Sequence, residues 1–121
     1  MTKEYIFDFE RLDVYKKAVS FTNNIFRLTK VFSQDARFSL GDQFRRAALS
    51  ICNNIAEGSG KGTKGAKRQY YAIALDSARE CIPIITIALE QKEIEQKEAD
   101  TLREECIIMC RMLFKLVSSV H

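Results

Sequence analysis

The stretch at residues 43–70 reads QFRRAALSICNNIAEGSGKGTKGAKRQY, and it joins a helical pattern to a basic, glycine-rich loop. Up to Gly58, apolar residues recur three or four positions apart, which predicts an amphipathic helix with one face in a core. These apolar positions are Leu40, Phe44, Ala47, Ala48, Ile51 and Ile55. A glycine just past the last periodic residue can adopt the left-handed conformation that closes a helix, so we expect the helix to stop at Gly58.

The rest of the chain shows the same helical periodicity. We predict four helices, at residues 12–32, 40–57, 63–92 and 98–120, in a single domain that covers residues 1–121. Four helices with short connections pack well as an up-down-up-down bundle, so the predicted fold class is all-α. The apolar stripes of the first and third helices are wider than one contact uses, which indicates either contact between copies or a broad packing face inside the bundle.

The composition is typical of a soluble globular protein. Apolar residues make up 46% of the 121 residues and charged residues 29%, with one proline and no tryptophan. The amino-terminal segment MTKEYIFDFERLD carries acids where a secretory signal would have an apolar core, so we expect a cytoplasmic protein. The longest apolar run, Cys81 to Leu89, is far shorter than the ~20 residues that cross a bilayer, and we expect no membrane partner.

Several residues are candidates for fixing the helix ends and the helix register. Ser39 followed by Asp42 resembles a cap for the second helix, and Thr63 is a possible cap for the third. Pro83 removes an amide from the third helix, so we predict a kink there rather than a break. Asn54 borders the apolar stripe, where it either fixes the register by hydrogen bonding or is half exposed.

Positive charge is concentrated around the predicted loop. From Arg37 to Leu75 the chain has seven Lys or Arg and only two acids, a net charge of +5, whereas the whole chain carries +3. The candidate nucleic-acid-binding residues are Arg45, Arg46, Lys61, Lys64, Lys67 and Arg68. Free amides at the start of the third helix, together with the nearby lysines, are suited to binding a phosphate of a nucleic-acid backbone. Arg45 lies away from the apolar stripe of the second helix, so we expect it to point outward. The alternative is a solvated loop without a ligand.

Catalytic and metal-binding patterns are weak. His121 is the only histidine and stands at the end of the chain, which argues against histidine-based catalysis. Glu57 and Glu80 are the best placed acids for a carboxylate pair, but a structural ion pair of Glu57 with an arginine such as Arg46 is favoured. The cysteines contain no CxxC pair, so core packing is favoured over a thiolate metal site for Cys81, Cys106 and Cys110. We therefore predict no enzyme, no metal and no cofactor.

A long motif runs through the second helix into the loop. It comprises Phe38, Leu40, Gln43, Arg45-Arg46-Ala47, Ser50-Ile51, Asn54-Ile55-Ala56-Glu57-Gly58 and Gly60. Further matches are Leu12, Val14-Tyr15, Ala18, Leu28-Thr29 and Phe32 before it, and Thr63, Ala74, Ser77 and Glu80 after it. Over roughly residues 12–80 the chain resembles the bacterial four-helix bundle proteins that are also called 23S rRNA intervening-sequence proteins.

This resemblance implies a left-handed bundle and assembly into a ring, usually a homopentamer, and it implies no settled activity. Structural roles are implied for the motif residues Asn54, Glu57, Gly58 and Gly60. A related group, the accessory variability proteins of diversity-generating retroelements, forms similar basic pentamers that bind nucleic acid and a reverse transcriptase. The chain departs from the family pattern at Ala66, where a glutamate usually completes a capping box, so we expect a weaker cap and a more basic loop.

These observations lead to two hypotheses for the function. The first is a non-enzymatic homo-oligomer that binds RNA or another nucleic acid through repeated basic patches. In this hypothesis Tyr70 or Tyr71 stacks on bases, and the other faces the core; we expect Tyr70 to be the one that faces the core. The second is a structural or adaptor oligomer that binds a protein partner, for example a reverse transcriptase, and has no direct nucleic-acid role. Salt dependence separates them, because phosphate neutralisation releases counterions and apolar docking does not.

Overall fold

Four long helices, whose apolar residues recur at helical spacing, make up most of the structure. The computed structural model describes residues 5–120, so His121 and the first four residues of the amino-terminal segment lie outside the described range. Its elements are a 3-10 helix at Asp8–Arg11 and the helices α1 (Asp13–Thr29), α2 (Gln34–Arg37), α3 (Leu40–Ser59), α4 (Lys64–Glu90) and α5 (Gln96–Ser118). No strand occurs within residues 5–120, and α1, α3, α4 and α5 form the predicted all-α four-helix bundle. None of the helices in this range is long and apolar enough to cross a membrane.

The observed helix bounds lie close to the predicted ones, with two differences. The first helix ends at Thr29 and the chain turns into the four-residue helix α2, which the sequence did not reveal. The second helix continues through Gly58 to Ser59. The helix α4 continues without interruption from Lys64 through Pro83, which is exposed, to Glu90, so the proline does not break it.

The bundle core is made by one face of each long helix. Helix α3 packs most extensively against α4, and α4 also packs on α5 while α3 also packs on α1. The largest side chains without solvent exposure are Phe21, Ile25, Phe44, Ile51, Ile55, Met109 and Leu113. Burying such side chains contributes about 1.5–3 kcal/mol each relative to leaving them exposed, so this core is the main source of stability.

Polar side chains fix the register between neighbouring helices. The Thr22 hydroxyl in α1 donates to the carbonyl of Ala18 at 2.7 Å and lies 3.2 Å from the Ala48 carbonyl in α3. The hydroxyls of Ser50 in α3 and Ser77 in α4 lie 2.7 Å apart, and the Asn54 amide donates to the Ser50 carbonyl at 2.8 Å. Asn54 is half-buried and belongs to this hydrogen-bonded network between α3 and α4.

Gly58 does not end α3, contrary to the expectation from its position after the apolar stripe. It is buried inside the helix, and no glycine in residues 5–120 has a positive φ. A Cβ atom on Gly58 would lie 2.7 Å from Cε1 of Tyr71 and 3.2 Å from the carbonyl oxygen of Lys67. The glycine is therefore required because α4 approaches α3 closely at this point, and α3 ends at Ser59 with Gly60 as its C-cap residue.

Tyr71, not Tyr70, faces the core. Tyr71 is 4% exposed and its ring covers Gly58, whereas Tyr70 is half-buried. Both positions fit the helical spacing to Ala74, because one is three and the other four residues before it. The missing side chain at Gly58 makes room for the ring of Tyr71. The prediction that Tyr70 faces the core was therefore wrong, because the neighbouring helix α3 decides which of the two rings is buried.

The predicted cap at Ser39 is also absent. The Ser39 hydroxyl donates backward to the carbonyl of Asp35 at 2.7 Å, and its side chain makes no cap bond to α3. Asp42 instead accepts from Arg45. Ser39 has φ −123° and ψ −82°, outside the extended conformation of an N-cap residue, and it follows the short helix α2, which was not predicted from the sequence.

Helix α4 ends with a non-glycine residue in the left-handed conformation. Lys92 has φ 63°, and the amide of Glu93 donates to the carbonyl of Ala88 at 2.9 Å while the amide of Lys92 donates to Leu89 at 3.0 Å. This is the Schellman arrangement, in which glycine is the preferred residue at the position of Lys92. The Glu93 carboxylate then accepts from both the amide and the hydroxyl of Ser33, at 2.7 Å each, which ties this turn to the start of α2.

Replacement of Lys92 with glycine is expected to stabilise the protein by about 0.5–1 kcal/mol, because glycine adopts this conformation without the clash of a Cβ atom. Urea unfolding measures the change. The control is Gln91→Gly, at a residue with φ −79°, where the substitution should give no gain. Equal effects of the two substitutions would contradict the assignment of strain to Lys92.

Candidate nucleic-acid interface

The connection between α3 and α4 brings four of the predicted cations to one end of the bundle. We call Lys61, Lys64, Lys67 and Arg68 the basic end. Helix α4 begins at Lys64, and the Thr63 hydroxyl oxygen accepts from the amide of Ala66 at 3.2 Å, so Thr63 is its cap as predicted. The first turn of α4 contains no acid.

Lys67 is turned back onto the end of α3. Its ammonium donates to the carbonyl of Gly58 at 3.0 Å and to that of Ser59 at 2.9 Å, and it lies 5.9 Å from the centroid of the Tyr71 ring. The last carbonyls of a helix have no intrahelical partner, and a cation is favourable at that end of the helix dipole. These contacts assign Lys67 a structural role, and the candidate interface retains Lys61, Lys64 and Arg68.

The substitution Lys67→Met is expected to lower the free energy of unfolding by about 1–2 kcal/mol, since two half-buried carbonyls lose a charged donor. Lys64→Met serves as the matched control, because the exposed Lys64 side chain should contribute less than about 0.5 kcal/mol. Urea unfolding of both variants measures the two effects. A loss no greater than that of the control would show that Lys67 does not cap α3.

Lys61 is partly neutralised by a neighbouring acid. Its ammonium lies 3.4 Å from a Glu57 carboxylate oxygen and 4.9 Å from the centroid of the Tyr70 ring. Glu57 is thus paired with Lys61 one helical turn later, and not with Arg46. The pair is exposed enough for solvent to screen it, so Lys61 can still contribute to a long-range positive potential.

Lys64 and Arg68 are the exposed cations of the basic end. Arg68 donates from Nε to the carbonyl of Val120 at 2.7 Å, which places its guanidinium between the start of α4 and the end of α5. One hydrogen bond leaves most of the five guanidinium N–H groups available to an anion. Within residues 5–120 only two ion pairs form, Arg45 with Asp42 and Lys61 with Glu57, so neither Lys64 nor Arg68 is compensated by an acid there.

Arg45 and Arg46 lie far from the basic end. Arg46 precedes Lys61 by fifteen residues, which corresponds to roughly 20 Å along the bundle. Arg45 does not point freely outward as expected, because it donates to the Asp42 carboxylate at 2.6 Å and to the carbonyl of Arg37 at 2.9 Å. Arg46 is exposed, but it lines a different surface.

That surface is the α3–α4 groove, a depression of about 540 Å³. Its lining includes Arg46, Glu80, Pro83, Ile84 and Ile87. Ile87 is 46% exposed at its edge. The groove is therefore largely apolar with one charge of each sign, which differs in character from the basic end.

A second cationic surface was not predicted from the sequence. The α4–α5 groove, about 490 Å³ in volume, is lined by Leu75, Arg79, Cys110, Arg111, Phe114 and Lys115. All of its charged lining residues are cations. Arg79 and Arg111 are more than thirty residues apart in the chain, so no local charge count could reveal their proximity.

The two acids that were considered for a carboxylate pair, Glu57 and Glu80, lie at different positions along the bundle. Glu57 lies at the end of α3, whereas Glu80 lines the α3–α4 groove beside Ala47, ten residues or about 15 Å earlier along α3. In the described part of the chain, no group of three Cys, His, Asp or Glu side chains is close enough to hold a metal ion. The two carboxylates are therefore not a pair.

The cysteines are thiols in the core. Cys52, Cys81 and Cys106 are buried, and Cys110 is half-buried at the α4–α5 groove. A hydrogen bond with Cys81, followed by burial, raises the pKa of Cys106, and burial raises the pKa of Cys110 even though Arg79 opposes the shift. Thiols with raised pKa values stay protonated at neutral pH and are poor nucleophiles.

The fold and this surface define a class of protein, an all-α four-helix bundle with a basic end in which Lys64 and Arg68 have no acidic partner within residues 5–120. The chain belongs to the 23S rRNA-intervening sequence protein family, whose model matches residues 10–115. This confirms the family that the sequence motif indicated. No curated protein matches the chain.

A solved structure supports the same fold. It is that of a protein with unknown function from the S23 ribosomal protein family of Bacteroides thetaiotaomicron VPI-5482. The two chains superpose with a TM-score of 0.81 at 20% sequence identity, over 87% of this chain and 95% of the other. At this level of identity the similarity establishes the bundle fold alone.

Proposed function

We propose that this protein is a non-enzymatic, oligomeric four-helix bundle that binds RNA or another nucleic acid through its basic end. The observation that carries the proposal is the start of α4, where Lys64 and Arg68 are exposed, no acid is present in the first turn and no ion pair within residues 5–120 neutralises either side chain. A phosphate backbone is the partner that such a surface suits best. Proteins contact nucleic-acid phosphates with Lys, Arg and free backbone amides, whatever the base sequence of the nucleic acid.

The helix itself adds to the positive potential. Helix α4 has 27 residues, and an aligned helix of this kind carries roughly half a positive charge at its amino terminus. The Thr63 cap uses the amide of Ala66, while the preceding amides at Lys64 and Gly65 form no intrahelical bond because they come too early in the helix. Phosphate oxygens bind well to amides in this position.

Oligomerisation would strengthen a weak site. A ring, usually a pentamer in this family according to the resemblance, would present several copies of Lys64 and Arg68 to one nucleic acid. Linked sites raise the overall affinity through effective concentration without any new contact. The proposal therefore includes a homo-oligomer in the cytoplasm as the binding form.

The α3–α4 groove favours a second candidate, an adaptor oligomer that binds a protein partner such as a reverse transcriptase. The groove has apolar walls at Ile84 and Ile87, and Ile73 on the same helix is 39% exposed. Exposed apolar surface beside a groove is typical of protein interaction sites. This candidate does not require the basic end to contact a ligand.

The test compares two double variants of equal charge. Lys64→Ala with Arg68→Ala removes the basic end, and Arg27→Ala with Lys30→Ala removes the same charge from the far end of α1. Fluorescence anisotropy with a labelled single-stranded RNA at low salt should show an affinity loss of roughly tenfold or more for the first variant only. Equal affinity of the two variants would refute the basic end as the binding surface.

A further inference from the structure

The α4–α5 groove combines cations with an exposed aromatic ring. Phe114 is 64% exposed, and the cations Arg79, Arg111 and Lys115 line the same groove. No ion pair within residues 5–120 involves any of the three cations. An aromatic ring set among unpaired cations is the combination found where bases stack and phosphates are neutralised.

The groove continues from the basic end. Arg68, Leu75 and Arg79 share one face of α4, since they are spaced seven and four residues apart. The distance along the helix from Arg68 to Arg79 is about 17 Å. Arg68 also touches the carbonyl of Val120 at the end of α5, so the basic end and the groove are joined at the same edge of the two helices.

We propose that the α4–α5 groove binds single-stranded nucleic acid, with a base stacked on Phe114 and phosphates contacted by Arg79, Arg111 and Lys115. The inference rests on the proposed function and names its substrate class. A single strand fits because its bases expose their faces, whereas a duplex keeps them stacked in the helix interior. The phosphate path would enter the groove from Arg68.

An aromatic substitution separates stacking from charge. Phe114→Ala should weaken binding of a single-stranded RNA by roughly 5- to 100-fold, leave the salt dependence unchanged, and have no effect on a duplex RNA of the same sequence. Phe38→Ala is the matched control, because Phe38 is 66% exposed and lies near the start of α3, away from the groove. Unchanged single-strand affinity of Phe114→Ala, with binding otherwise intact, overturns the inference and leaves the proposed function standing.

A charge substitution gives the complementary result. Arg79→Ala with Arg111→Ala should weaken binding and also reduce the salt slope by about 0.7 for each phosphate of a single strand that the variant no longer neutralises. If the salt slope falls in the Lys64→Ala, Arg68→Ala variant but not in the Arg79→Ala, Arg111→Ala variant, the groove does not contact the nucleic-acid phosphates, and the inference is overturned. If the unsubstituted protein binds no RNA at low salt, the proposed function fails, and the inference fails with it.

Cys110 allows the groove to be located without a substitution in the interface. It is half-buried there, whereas Cys52, Cys81 and Cys106 are buried, so a thiol reagent should modify Cys110 first. Saturating single-stranded RNA should slow this modification several-fold, and duplex RNA should not. Protection of Cys110 before RNA is added, together with a smaller oligomer in Phe114→Ala, would identify the groove as a contact between copies and overturn the inference. RNA binding that leaves the rate of Cys110 modification unchanged would also overturn it.

Discussion

Replacement of Phe44 with alanine is expected to lower the free energy of unfolding by about 3–5 kcal/mol. Phe44 has no solvent exposure, and its ring meets that of Phe21 edge to face with 6.4 Å between centroids. The substitution removes the largest apolar side chain of α3 and leaves a cavity between α1 and α3. The aromatic pair accounts for about 0.5–1.5 kcal/mol of this loss.

Thermal or urea unfolding followed by circular dichroism measures this effect, and a fall in Tm of roughly 10–20 °C is expected for a domain of this size. The control is Phe114→Ala, the same chemical change at a side chain that is 64% exposed. It should change stability by less than about 1 kcal/mol. A similar loss for both variants would mean that the core is not centred on Phe44.

Gly58→Ala is expected to destabilise the protein by about 1–3 kcal/mol, although alanine is the better helix former by about 1 kcal/mol. The new Cβ would meet Cε1 of Tyr71 at 2.7 Å and Cδ1 at 2.8 Å, so the ring, which is only 4% exposed, or the helices themselves must shift. The packing cost is therefore larger than the gain in helix propensity.

Gly65→Ala is the matched control for this prediction. A Cβ at Gly65, in the first turn of α4, would meet no atom within 4 Å, so the substitution should be neutral or stabilising by up to about 1 kcal/mol. Combining Gly58→Ala with Tyr71→Ala should remove the clash, so the double variant should lose less than the sum of the two single losses. Additive losses would contradict a direct contact between the two residues.

The helices were predictable because their apolar residues repeat at helical spacing on one face. The end of α3 was not, because the role of Gly58 depends on how closely Tyr71 approaches from α4. The choice between Tyr70 and Tyr71 failed for the same reason. Local periodicity permits both, and only the neighbouring helix decides between them.

The charges of the candidate interface were only partly predictable. The sequence identified the cluster from Lys61 to Arg68, but it offered no means of seeing that Lys67 caps α3 or that Arg45 is held by Asp42. The α4–α5 groove could not be predicted from the sequence either, because Arg79 and Arg111 become neighbours only when the two helices pack. A count of charges along the chain reports local density, whereas a binding surface depends on which cations remain unpaired after folding.

Nucleic-acid binding by this protein is proposed to depend on phosphate neutralisation, and the salt dependence of RNA binding is the direct measure of that process. We would titrate a labelled single-stranded RNA with the purified protein across salt concentrations. We predict that log K falls linearly with log salt, with a slope of about −2 if three phosphates are neutralised. A slope near zero, or no binding at low salt by a folded protein, would contradict this and favour the adaptor candidate.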